Sequence, residues 1–207
     1  MKSQPGRTTA SVSIPLLSFA LLIVVLISST LSCVTVSLDG GPVPTPPFPM
    51  EDLLLDESAF SEGWAASQPY DPQDGFGLSI CTHYTPPATS EGGIALHAGY
   101  IARSPEEAAD GYGIWAPLWF SDREGWSAWS APDELHYQSP VADQFWLACY
   151  SETDDSSQVC QAVGQYGRYM TRFHTFMNPD TMTPSDLERI LIAIDERMAI
   201  HLGKDAQ

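Results

Sequence analysis

Two cysteines constrain this chain more than any other feature. Cys149 and Cys160 lie symmetrically about a polar run, residues 151–157, and their mean position falls between Asp154 and Asp155. A hairpin folded at that midpoint sets the two directly opposite each other. Opposed residues of an antiparallel pair have Cβ atoms about 4.5–5.5 Å apart, close to what a disulfide requires. The pattern predicts strands over 143–150 and 158–165 joined by a Cys149–Cys160 bond, with Cys81 as the competing partner for either cysteine.

The chain beyond the hairpin is equally patterned. Tyr166-Gly167 reads as a turn and residues 168–177 as a returning strand. Thr183-Pro184-Ser185-Asp186 then caps a helix that should run to Leu202 and stop at Gly203. Leu187, Ile190, Leu191, Ile194, Met198 and Leu202 recur on one face of it at helical spacing. Ile192 and Ile200 fall on the outward side with Glu196 between them, an apolar stripe that the sheet does not use.

Upstream, residues 52–55 suit one helical turn, and a strand should begin at Gly63-Trp64 and end at the turn 71–75. Strands are also predicted over 78–84, 93–103 and, briefly, 126–129. Ser104-Pro105-Glu106-Glu107 starts a helix: a Ser cap, Pro in the first position and Glu three residues after the cap. That helix weakens at Gly111 and Gly113 and should stop before Pro117. The order implies an α+β fold, an antiparallel sheet with a short mid-chain helix and a long C-terminal amphipathic helix packed on one face.

The N-terminal part is of another kind. Residues 1–13 carry Lys2 and Arg7, residues 16–27 are almost purely apolar, and small residues lead to Cys33. A basic head, about 12 apolar residues and a small-residue exit form an export signal. Leu31-Ser32-Cys33 resembles the lipobox of bacterial lipoprotein precursors, although Thr30 stands where that box has leucine. The resemblance implies cleavage after Ser32 and lipidation of Cys33. An uncleaved anchor over 14–36 and an ordinary cleaved signal are the alternatives, and all three put the domain outside the cytoplasm. Residues 38–50 hold five prolines and two adjacent glycines, the composition of a semi-rigid tether. The organisation expected is a signal over 1–32, a tether over 33–50 and one domain over 51–207.

Charge narrows the partners. The formal net charge is −17, and beyond residue 32 there are 7 basic and 26 acidic residues, a balance of −19. Such a surface repels phosphate backbones, so nucleic acid is excluded as a partner. The partners implied are a membrane, reached through the lipid or the N-terminal anchor, and a basic protein or peptide.

Three stretches resemble, loosely, exported bacterial sensor-type domains. These are the opening Ala59-Phe60-Ser61-Glu62-Gly63-Trp64, the turn Gln165-Tyr166-Gly167-Arg168-Tyr169, and Asp195-Glu196-Arg197 in the closing helix. The resemblance implies a fold and carries no chemistry.

Chemical motifs are scarce. The chain has no nucleophile elbow, phosphate-binding glycine loop or dinucleotide fingerprint, so no cofactor is expected. His83, His97, His136, His174 and His201 are scattered without metal-ligand spacing. The acidic loops 71–74 and 152–155 lack the spacing of a calcium loop and read as solvated. Cys81 and His83 share one face of a strand, the one arrangement that suits a thiol hydrolase. Trp115, Trp119, Trp126 and Trp129 crowd one stretch, which suits either an aromatic groove or a plug over the core. No catalytic residue is assigned. The reading is a non-catalytic, membrane-tethered binding or sensor domain, with a carboxylate- or Cys81-based hydrolase and a structural envelope protein as alternatives.

Overall fold

The computed structural model describes residues 42–72, 77–87, 94–122, 127–132, 134–151 and 158–205. Its strands are β1 (Ala65–Ala66), β2 (Leu78–Thr85), β3 (Ala95–Ile101), β4 (Gln144–Ser151), β5 (Gln158–Tyr166) and β6 (Tyr169–Met177). Helix α1 (Pro105–Trp119) follows β3, and helix α2 (Pro184–Asp205) closes the chain. All strands join one antiparallel sheet in the order β1-β2-β3-β6-β5-β4. The fold is α+β, as the order of elements implies.

The hairpin forms in the register the cysteines dictate. Cys149 pairs with Cys160, their Cα atoms are 4.1 Å apart and a disulfide joins them. The N–H and C=O of Cys149 bond outward to Ser130, so Cys149 and Cys160 form a closely spaced, non-hydrogen-bonded pair. Closing this short loop stabilises the fold by about 3 kcal/mol in the chain-entropy account. Cys81 is buried and takes no part in the disulfide. The next turn needs Gly167, whose φ of +56° suits a two-residue hairpin between Tyr166 and Tyr169.

The helices do not share a face of the sheet. Leu187, Ile190, Leu191, Ile194 and Met198 of α2 pack with Ala95, Ile101, Cys160, Ala162, Tyr169 and Phe173. Ala108, Tyr112, Ala116 and Phe120, from α1 and the residue after it, pack instead with Ala98, Tyr100, Val163 and Met170. These strand residues alternate with the first set, so α1 covers the opposite side. Strand β5 is buried on both faces along most of its length, and one helix cannot cover both.

Both helix starts follow the capping chemistry. Ser104 accepts from the Glu107 N–H, and Glu107 reaches back to the Arg103 N–H and guanidinium. Thr183 and Asp186 cap each other's backbone N–H groups. The ends differ from expectation. Helix α1 continues through Pro117 to Trp119, with the Phe120 N–H bonded to the Ala116 carbonyl. Proline there removes one hydrogen bond, to the carbonyl of Gly113; both residues are exposed, so water can take that carbonyl while Ala116 and Phe120 remain buried. Helix α2 runs past Gly203 to Asp205. Strand β1 is only two residues long, with a further single bridge between Tyr70 and Cys81. Instead of a strand over 126–129, the residues described there make isolated contacts to β4, Ser127 to Ser151 and Ser130 to Cys149.

His97 sits fully buried on the α2 face. Its Nδ1 accepts from the Leu55 N–H at 3.1 Å, and its Nε2 has no hydrogen-bond partner among the described residues. Burial, with Arg197 as the lesser cause, pushes its pKa down to about 3. The unfolded chain therefore binds a proton near pH 6.5 that the folded chain refuses until about pH 3. Between those values stability falls as pH falls, by up to about 1.4 kcal/mol per unit. Urea midpoints of the wild type should drop faster than those of His97→Asn as pH goes from 7.5 to about 5. Parallel curves would show that His97 titrates as in the unfolded chain.

Candidate functional site

Between the Ser130 bridge and β4 the chain forms a strap over the α2 face. Its hold comes from residues with no local relation. Leu135 inserts into the core. Tyr137 and Ser139 donate to Asp195 of α2 at 2.5 and 2.8 Å, and Tyr166 at the end of β5 donates to the same carboxylate at 2.7 Å. The Ser139 hydroxyl in turn accepts from the N–H groups of Val141 and Ala142, which shapes the entry to β4. Burial first, and the Asp195 carboxylate second, raise both phenols far above the ordinary tyrosine range, so both remain donors.

The strap leaves a cleft on each side of Leu135. The larger, about 240 Å³, has Pro132, Glu134 and Leu135 on the strap side, Gln158, Cys160 and Met177 from the ends of β5 and β6, and Pro184 and Leu187 from the first turn of α2. Glu134 is its single ionisable lining residue among those described, and Leu135, Leu187 and Cys160 expose little of their surface to it. The smaller, about 180 Å³, is lined by Ala131, Pro132, Leu135, His136, Tyr137, Gln138 and Leu147. Nothing in the local sequence spacing announces either one. Asp195 gave one signal: it lies on the buried flank of α2 between Ile194 and Met198, where a carboxylate needs partners.

The candidates read from sequence lie elsewhere. Trp115 and Trp119 stack at 6.1 Å, and Arg172 lies 5.1 Å over the Trp119 ring. Trp129 meets Tyr150 and Phe120, and Phe120 stacks on Trp146 at 4.2 Å. These rings cover the α1 face, packed on one another, and line neither cleft. Trp126 lies outside the described residues, as do Cys33 and loops 73–76 and 152–157. Ile192 (43% exposed), Glu196 and Ile200 (60%) all face solvent on α2.

The hydrolase pair is poorly placed. The Cys81 thiol is only 2% exposed, and His83 Nε2 lies 3.2 Å from the Tyr70 hydroxyl. A structural thiol buried in this way is not an accessible nucleophile. His97 and His174 occupy alternate faces of the sheet. Among the described residues no group of three His, Cys, Asp or Glu side chains could hold a metal ion, and no helix is long and apolar enough to cross a membrane.

The stretches that resemble sensor-type domains converge on α2. Phe60 stacks on Tyr84 at 4.1 Å and packs against Trp64 and Phe173. Arg197 donates to the Leu54 carbonyl and, at 2.9 Å, to Asp56. With Tyr166 on Asp195, the pattern describes what holds the fold together. The structure is similar to the extracellular domain of PknH from Mycobacterium tuberculosis. The TM-score is 0.52 at 9% identity, over 77% of this chain and 98% of that one. That likeness shows a shared fold. No protein-family model matches the chain, and no curated protein matches it.

Proposed function

We propose that this chain is a membrane-tethered binding or sensor domain outside the cytoplasm that holds a ligand without turning it over. The observation that carries the reading is the fold shared with an extracellular domain. The Cys149–Cys160 disulfide supports it, since such bonds persist in oxidising compartments. The clefts beside the strap supply concave surface for a ligand. Cys33 supplies the anchor: mass spectrometry of protein extracted from membranes should find it diacylated or triacylated. A soluble mature protein that begins elsewhere would overturn the tether.

The stripe Ile192, Glu196, Ile200 is the surface proposed for a basic partner, its isoleucines exposed and the domain acidic. Changing both isoleucines to serine should shift stability by no more than about 0.5 kcal/mol per site while weakening co-purification of that partner from solubilised membranes. A double variant that fails to fold would make the stripe part of the core.

A further inference from the structure

We infer that the C-terminal half of α1 docks the domain on the lipid surface to which the chain is tethered. This deepens the tethered-domain reading and rests on it. Helix α1 turns Ala108, Tyr112 and Ala116 toward the sheet, and its outer side carries Ile114 and Leu118, 49% and 58% exposed. One helical turn separates the two, so they form a single ridge. Residues 111–121 around that ridge include no charged side chain. Trp115 and Trp119 flank it partly exposed, and Trp146, 40% exposed, extends the apolar surface from its stack on Phe120. One and two turns earlier on the same stripe stand Asp110 and Glu106, both exposed, where the apolar surface ends.

Three observations select a bilayer as the occupant. Aliphatic side chains flanked by tryptophans match the boundary between headgroups and acyl chains, where indole rings gather and bare carboxylates do not. A basic partner, which the acidity of the domain would otherwise attract, finds no carboxylate on residues 111–121. The exposed isoleucines of α2 differ in this respect, since Glu196 interrupts them. Reach is the third. The Arg168 guanidinium donates to the Pro44 carbonyl, and the Arg168 carbonyl accepts from the Ala102 N–H, two residues before the Ser104 cap. Pro44 thus lies beside the start of α1. It follows Cys33 by 11 positions, which limits the span between them to about 35–40 Å. Ile114 and Leu118 lie about 15 and 21 Å along α1 from Ser104, inside that span. A contact this small suffices beside an anchor, because the tether keeps the ridge at high effective concentration near the surface.

The test uses the full chain in phosphatidylcholine vesicles, with or without bromine on the lipid acyl chains. Vesicle flotation comes first: a chain that does not float would overturn the tethered-domain reading, and the docking with it. In floated vesicles the brominated lipid should quench tryptophan emission. Changing Ile114 and Leu118 together to glutamate should reduce that quenching at least about fivefold, with the urea midpoint in detergent unchanged. The corresponding serine pair should reduce it about two- to threefold, and it carries the test if the glutamate pair fails to fold. Floated wild-type chain without quenching, or quenching that both pairs retain, would overturn the docking alone. Cross-linked dimers that form in the vesicles without quenching and vanish in either pair would give the ridge to a second copy and overturn the bilayer as its occupant.

Discussion

Replacing Asp195 with alanine should destabilise the domain by about 3–5 kcal/mol. The carboxylate is 3% exposed and accepts from Tyr137, Ser139 and Tyr166. Hydrogen bonds to a charged group contribute about 1.5–3 kcal/mol each, and deletion also leaves buried hydroxyls without an acceptor. Tyr137 has a fallback in the Leu191 carbonyl at 3.4 Å. Tyr166 is 1% exposed and loses its carboxylate acceptor, which leaves it only the Thr171 and Ser139 hydroxyls nearby. Removing that hydroxyl as well, by Tyr166→Phe in the Asp195→Ala background, should recover part of the loss in a double-mutant cycle read by urea unfolding. Amide exchange at Val141 and Ala142 should quicken, because their acceptor Ser139 is held by the same carboxylate. A cost below about 1 kcal/mol would mean that the strap is held by Leu135 alone.

Ile194→Ala should cost about 2–5 kcal/mol, while Glu196→Ala should be nearly silent. The two positions are neighbours on one helix and differ in what they touch. Ile194 is buried in the cluster formed by Leu187, Ile190, Leu191, Met198 and the sheet residues Ala162, Tyr169 and Phe173. Truncating it removes transferred surface and leaves a cavity that a sheet and a helix cannot readily close. Glu196 faces solvent. Thermal and urea unfolding of the two variants decide the matter, and equal effects would mean that α2 presents another side to the sheet.

Local chemistry was legible without a structure. The caps of α1 and α2 are made within four residues, so Ser104-Pro-Glu-Glu and Thr183 to Asp186 announce themselves. The apolar face of α2 follows from the helical period, and the disulfide from the symmetry of a hairpin whose register leaves two cysteines opposed. Pro117 misled because propensity prices a proline for a helix interior, whereas here it loses one bond in an exposed last turn.

The rest was settled by contacts far apart in sequence. Strand β5 is buried on both faces, but its sequence does not say which helix covers which, so the opposite placement of α1 and α2 had to be seen. Joining β3 to β6 likewise depends on a long-range pairing with no local mark. The cleft draws its walls from residues as distant as Pro132 and Leu187, and Asp195 finds its hydroxyls up to 58 positions away. A chain writes its turns and caps in short-range hydrogen bonds. Its sites arise where packing brings together side chains that its sequence keeps apart.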